Sequence, residues 1–155
     1  MSISDEIVVM KFGVKQQIGQ PQAVYENPTN QFVAKFLGTP PINIFNGYVS
    51  KGNLYIGREA ITSSELENQE VAVGIRPEGI EIVPEGEGDL TLDVIQVEHI
   101  GRDKSIVAKN PFSEKDSVRF IVDSDSKVEE GTTVKVKVKP HKCHVFHKVT
   151  EERLQ

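Results

Sequence analysis

The sequence predicts a mainly β protein, an antiparallel barrel or sandwich preceded by a hairpin and two short helices. Past residue 39 apolar and polar residues alternate at period two, as at Val118, Phe120 and Val122 and again at Val134, Val136 and Val138. Gly, Pro, Asn or Asp interrupt these runs at short intervals, as in strands joined by tight turns. Residues 1–38 behave differently, and the Pro40-Pro41 pair divides them from the rest. The predicted organisation is therefore a front segment, 1–38, and a β domain, 39–155.

Each element has a local reason. Ile7, Val8, Val9 and Met10 form an apolar run, Phe12-Gly13 supplies a turn, and a more polar strand runs back toward Gly19. A hairpin this small is marginal unless it joins a larger sheet. Pro21 suits the first position of a short helix, which Pro28 stops. TNQFVAKFLG begins at a Thr/Asn cap and places Phe32, Val33, Phe36 and Leu37 on one helical face. It ends at Gly38. Pro40-Pro41 reads as a stiff extended joint. INIFNGYV and NLYIG flank the turn Ser50-Lys51-Gly52. The stretch REAITSSELEN, residues 58–68, reads mostly as loop with room for a short turn of helix. QEVAVGIRP puts Val71, Val73 and Ile75 on one face. GIEIVP, DLTLDVIQVEHIG, KSIVAKN, DSVRFIVD and TTVKVKVKP complete the strands.

Composition bounds the function. A length of 155 residues with 37% hydrophobic content supports a modest core. The apolar runs are far short of the ~20 residues a spanning helix needs, and no basic-then-apolar leader is visible at the start. The single cysteine, Cys143, excludes an internal disulfide and fits a reducing compartment. A net charge of -5 and 6% aromatic content disfavour nucleic acid, which requires concentrated cations and stacking rings.

Three stretches invite a chemical reading. HKCHVFH gathers His141, Cys143, His144 and His147, residue types that zinc favours. On a strand, His141, Cys143 and His147 would share one face. Side chains along one strand rarely converge on one ion, so the plainer reading is a final strand with a polar face, and no metal is assigned. VDSDSKVEEG imitates the head of a calcium loop but lacks its Gly and its closing Glu, so Asp123 to Ser126 read as a solvated turn. Lys135, Lys137 and Lys139 form a basic stripe that suits a solvated face blunting edge pairing. No phosphate-cradling G-x-x-x-x-G-K-[ST] or G-x-G-x-x-G loop and no nucleophile elbow is present, so no catalytic or cofactor-binding residue is assigned.

VGIRPEGIEIV, residues 73–83, is more specific. Gly74 sits among β-branched residues where a missing side chain permits close approach. Pro77 ends the ladder, and Arg76 and Glu78 sit at that end, placed to pair with each other or with a neighbouring loop. The stretch resembles the signature of TOBE, the OB-like C-terminal regulatory domain of sugar-importer ABC ATPases. VEHIGRDKSIVAK with Glu98 and Gly101, EEGTTVKVKVKP with Pro140, and HVFHKVTEERL with His144 and Phe146 resemble its later segments in the same order. His147 stands where that family usually has Asp. DEIVVMKFGVKQQIGQPQAVYENPTNQFVAKFLG resembles the end of the same family's nucleotide-binding domain.

The resemblance implies an OB-like barrel at 39–155 and the tail of a nucleotide-binding domain at 1–38. Its structural signature falls on Gly74, Arg76, Pro77, Glu78, Glu98, Gly101, Pro140, His144 and Phe146. It implies a regulatory and dimerisation role in an ATP-binding subunit, peripheral on the cytoplasmic face of the membrane, that drives carbohydrate or glycerol-phosphate import. The partners implied are a second copy of itself, permease subunits and a regulatory protein or ligand, with ATP and Mg bound elsewhere in the parent. An oxyanion- or sugar-sensing module is the alternative. On this reading the ATPase motifs precede Met1. Ile7, Val8, Val9 and Met10 then lack their native cover, and are disordered or pair with another copy.

Overall fold

The computed structural model describes residues 5–84 and 87–155. Strands β1 (Ile7–Lys11) and β2 (Val14–Gly19) form a separate two-stranded sheet. Its turn places Phe12 at φ 49° and Gly13 at φ 78°, the left-handed pair that a two-residue hairpin demands. Helix α1 (Pro21–Glu26) starts at its proline, and α2 (Gln31–Phe36) starts at Asn30, whose Oδ1 accepts from Val33 N at 2.9 Å. Gly38, at φ 105°, turns the chain out of α2. The Thr39–Pro40 peptide that follows is cis.

The remaining strands form two five-stranded antiparallel sheets. The first holds β3 (Asn43–Ser50), β4 (Asn53–Ile56), β5 (Glu59–Ser63), β6 (Gln69–Ile75) and the final strand, β12 (Cys143–His147), in the order β12-β6-β3-β4-β5. The second holds β7 (Ile80–Ile82), β8 (Leu90–Ile100), β9 (Asp103–Lys109), β10 (Val118–Asp123) and β11 (Thr133–Val138), in the order β10-β9-β8-β11-β7. Strand β12 (Cys143–His147) then returns to β6 in the first sheet. The second sheet is thus inserted between two adjacent strands of the first. It curls until β7 and β10 flank one groove, lined by Ile80, Ile82, Ile121 and Val122, which nearly closes the barrel expected of an OB-like fold.

One core fills the space between the sheets. Phe45, Leu54, Val73 and Ile75 from the first meet Leu90, Leu92, Ile106, Phe120 and Val136 from the second, all fully buried. A second, smaller cluster covers the outer face of the first sheet, where Ala34 of α2 packs with Ile42, Ile44, Ala72 and Phe146. This double coverage explains why Val71 through Ile75 are buried without interruption.

Several local expectations change. Residues 59–63 are not loop: Gly57 at φ 62° turns β4 into β5, and buried Ile61 anchors that strand. Glu and Ala, weak strand formers, masked the pattern. Phe36 is 60% exposed, because a two-turn helix buries a narrow stripe and Val33 with Ala34 take it. The hairpin is ordered and half-covered. Val9 is fully buried against Val24 and Val33, with Ile7 packed beside them, whereas Val8 and Met10 are 47% and 50% exposed.

Candidate functional site

The signature GIRPE lies where the chain leaves the first sheet for the second. The return path, at Pro140–Lys142, runs beside it. Both crossings are single 3-10 turns opened by proline, Pro77–Gly79 and Pro140–Lys142. They are stitched by Arg76 N donating to Lys142 O at 3.0 Å and Lys139 N donating to Gly79 O at 2.8 Å. Gly79 has to be glycine for this contact, since a Cβ there would lie 2.5 Å from Lys142 Cβ. Proline serves both turns because each starts where a strand ladder ends and no donor is wanted.

Arg76 is the largest fully buried side chain among the described residues, at 1% exposure. It does not pair with Glu78. Its Nη1 donates to Ala34 O at 2.8 Å and Leu37 O at 2.9 Å, and its Nη2 donates to Tyr25 O at 2.9 Å. The guanidinium also lies 3.9 Å over the Tyr25 ring. One buried cation therefore satisfies carbonyls at the C-terminal ends of both α1 and α2, where the helix dipole is negative. Burial lowers the Arg76 pKa from its usual value, opposed by Tyr25 and Glu78. The planar fork suits this three-carbonyl task; an ammonium would reach fewer acceptors at once.

Glu78 works one layer out. The Tyr25 hydroxyl donates to Glu78 Oε2 at 2.5 Å, and Lys142 Nζ lies 3.3 Å from the same oxygen. Burial pushes the Tyr25 phenol up to about 12, reinforced by its bond to Glu78. Burial works on Glu78 in the opposite sense to its partners: desolvation would raise it, but hydrogen bonds from Tyr25, its own backbone and Lys142 hold it below the usual carboxylate range.

His144 completes the cluster from β12, opposite Gly74 in register. It is 2% exposed and its Nδ1 has no hydrogen-bond partner. Burial, then Arg153, Arg76 and Lys142, lower it to about 4, so it is neutral near neutrality. Gly74 makes room on this face: a Cβ would meet Ile42 Cδ1 at 2.8 Å and Phe146 Cε2 at 3.0 Å. Seven of the nine signature residues, Gly74, Arg76, Pro77, Glu78, Pro140, His144 and Phe146, thus gather around the double crossing. Glu98 and Gly101 do not. They lie on the β8–β9 hairpin, with Gly101 at φ 59° in its turn and Glu98 exposed. Tyr25 and Lys142 belong to the cluster and no periodicity marks them, although Tyr25 falls within the stretch that resembles the end of the nucleotide-binding domain.

The His/Cys stretch disperses. His141 stands in the 3-10 turn rather than on the strand, exposed, because Pro140 delays β12 until Cys143. Cys143 is buried in the main core, and its thiol is pushed up to about 12. His147 Nδ1 accepts from Val149 N and Thr150 N at 3.1 and 3.0 Å. Lys135 departs from a plain solvated stripe, since its Nζ meets Glu59 Oε2 at 2.7 Å. Asp123 to Ser126 form a turn, with Ser126 N donating to Asp123 O and Lys104 Nζ to Ser126 O. Among the described residues no helix is long and apolar enough to cross a membrane.

Comparison with known proteins agrees with this arrangement. Residues 73–146 match the family model described as the TOBE domain, a span that runs from just before Gly74 to Phe146. The chain is 34% identical over 94% of its length to the sn-glycerol-3-phosphate import ATP-binding protein UgpC of Jannaschia sp. (strain CCS1), and covers 41% of that protein. It is 33% identical over its whole length to the oligosaccharides import ATP-binding protein MsmX of Bacillus subtilis (strain 168), covering 46% of it. It is 28% identical over 95% of its length to the maltose/maltodextrin import ATP-binding protein MalK of Vibrio cholerae, covering 42% of it. The chain thus spans less than half the length of these curated relatives. Residues 73–146 are similar to the TOBE domain, within an OB-like barrel, and the chain is similar along most of its length to ATP-binding proteins of importers.

Proposed function

We propose that the chain is the regulatory and dimerisation part of an ATP-binding subunit whose complete form couples ATP hydrolysis to carbohydrate or glycerol-phosphate uptake. In this reading residues 1–38 are the tail of the nucleotide-binding domain and residues 39–155 the regulatory barrel. The complete subunit binds ATP and Mg outside this chain and sits peripherally on the cytoplasmic face of the membrane against permease subunits. A second copy of the barrel and a regulatory protein or ligand are the further partners.

The observation that carries the reading is the Arg76 latch. It ties the carbonyl ends of α1 and α2, in the front segment, to the crossing between the two sheets. A displacement of the front segment cannot leave the barrel unaffected without breaking charge-assisted bonds under the surface. That is the mechanical link a regulatory barrel needs. In the complete subunit the signature residues around the crossing would hold this link rather than touch nucleotide.

Light scattering of the purified chain across a concentration series, with a phosphate-release assay on ATP and Mg, tests the proposal. The expected result is a concentration-dependent dimer with no release above background. A chain that stays monomeric throughout overturns the dimerisation role, and phosphate release above background overturns the assignment of ATP chemistry outside this chain.

A further inference from the structure

A cleft of about 150 Å³ opens between α2, the joint at 41–44 and the start of β10. Its walls are mainly apolar, from Pro41, Ile42, Ile44 and Val118. Three cations border it: Lys35, Lys115 and Arg119. Its one carboxylate, Glu114, is already engaged by Lys35 Nζ at 2.7 Å and by Gln31 Nε2 at 3.3 Å. The side chains of Lys115 and Arg119 make no hydrogen bond or ion pair among the described residues, although Lys115 also borders a neighbouring hollow that holds Asp93 and Asp116. The cleft is locally cationic in a chain whose net charge is -5, so bulk composition does not account for it.

The frame around it is fixed. Asn43, 8% exposed, donates through Nδ2 to Ile75 O and Arg119 O and accepts from Arg119 N at 2.9 Å. Its side-chain amide thus joins β3 to the edge of β10 as a strand would. Glu114 N donates to Ile44 O at 2.7 Å, which pins the other wall. The Arg119 backbone is held, and its guanidinium makes no hydrogen bond among the described residues, so its donors are available to an anion.

We propose that this cleft binds a small organic anion, a phosphate monoester or carboxylate borne on a body about the size of one six-membered ring. Arg119 grips the anionic head with its fork, Lys115 adds charge, and Pro41, Ile42 and Ile44 cover the carbon body. A bare oxyanion fits poorly, because the apolar walls would strip its water and return no contact. The inference stands apart from the transport reading, since binding is read on this chain alone.

The test is a titration of the chain with glucose 6-phosphate and, separately, benzoate, followed by amide chemical shifts, with glucose and sodium sulfate as controls. Saturable shifts confined to residues 42–44 and 113–119, from either organic anion and from neither control, are expected. Arg119→Gln should weaken binding by about tenfold or more and Lys115→Gln by less, with the thermal midpoint of both unchanged because neither side chain supports the fold. Shifts absent at millimolar concentrations of both anions overturn the proposal. So do shifts that survive Arg119→Gln, and shifts that sulfate reproduces at equal concentration.

Discussion

Arg76 and His144 show how single residues set the chemistry of the crossing. Arg76 carries its charge inward because three backbone carbonyls replace water. His144, beside it, is neutral near neutrality, because burial and then the charges of Arg153, Arg76 and Lys142 disfavour its protonated form, and its Nδ1 has no hydrogen-bond partner. The sign of the pH dependence follows. The unfolded chain protonates His144 near about 6.5, whereas the folded chain does so only near about 4. The unfolded state therefore binds more protons in this window, and stability present above about pH 6.5 is lost as pH falls toward about 4. Urea unfolding at pH 5 should give a stability about 2 kcal/mol below that at pH 7.5 from this residue. His144→Gln should flatten that slope; an unchanged slope would assign it elsewhere. Glu78 and Glu59, both held below the ordinary carboxylate range, contribute their own loss only at more acidic pH. Sequence gave reason to note Arg76 and Glu78 at the end of a strand, but not that they look in different directions. A helix carbonyl leaves no mark in a one-dimensional pattern.

Element pairing depends on a few side chains that behave like backbone. Asn43 bridges β3 to β10, and Glu59 bridges β5 to β8. The Glu59 carboxylate accepts from Thr91 N at 3.0 Å, Thr91 Oγ1 at 2.7 Å and Lys135 Nζ at 2.7 Å. Strand β5 is an edge, paired only with β4, so this clamp is its main tie to the second sheet. Glu59→Ala should cost about 1–2 kcal/mol, given the half-exposed lysine among its partners. Hydrogen exchange should localise the effect, with amides at 59–63 exchanging faster and those of β6 unchanged. Uniform acceleration would mean the clamp supports the whole core instead. The alternating strands were legible because each buries one face. Strand β5 was not, since its sequence alternates weakly and its position comes from Gly57 and β4. The half-burial of the hairpin was likewise hidden, because Val9 finds Val24 and Val33 only once α1 and α2 fold back.

At the scale of the molecule, the contacts between the front segment and the barrel include the Arg76 latch, the Tyr25–Glu78 bond, the α2 cluster with Phe146, the Lys35–Glu114 pair, and the backbone bonds Gln31 N to Glu151 O and Arg153 N to Thr29 O. Urea unfolding followed at amides of α2 and of β11 should therefore give coincident transitions. Arg76→Ala should separate them, with α2 lost first and the latch worth about 3 kcal/mol to its docking. Coincident transitions in that variant would assign the coupling to the apolar cluster instead.

The sequence by itself determined the β class, most strand positions, the turns at Phe12-Gly13 and Lys51-Gly52, and the resemblance to TOBE. These are local: period, φ-demanding residues and the order of short motifs survive without knowledge of neighbours. Only the tertiary structure decided that 139–143 returns beside 75–80, that Arg76 of GIRPE faces the ends of α1 and α2, and that His141, Cys143 and His147 part company. It also decided that the Arg119 side chain, without a hydrogen bond among the described residues, borders an apolar cleft. Each of these depends on which distant segments share a boundary. That is fixed by burial of the two-sheet core, and no residue carries it alone.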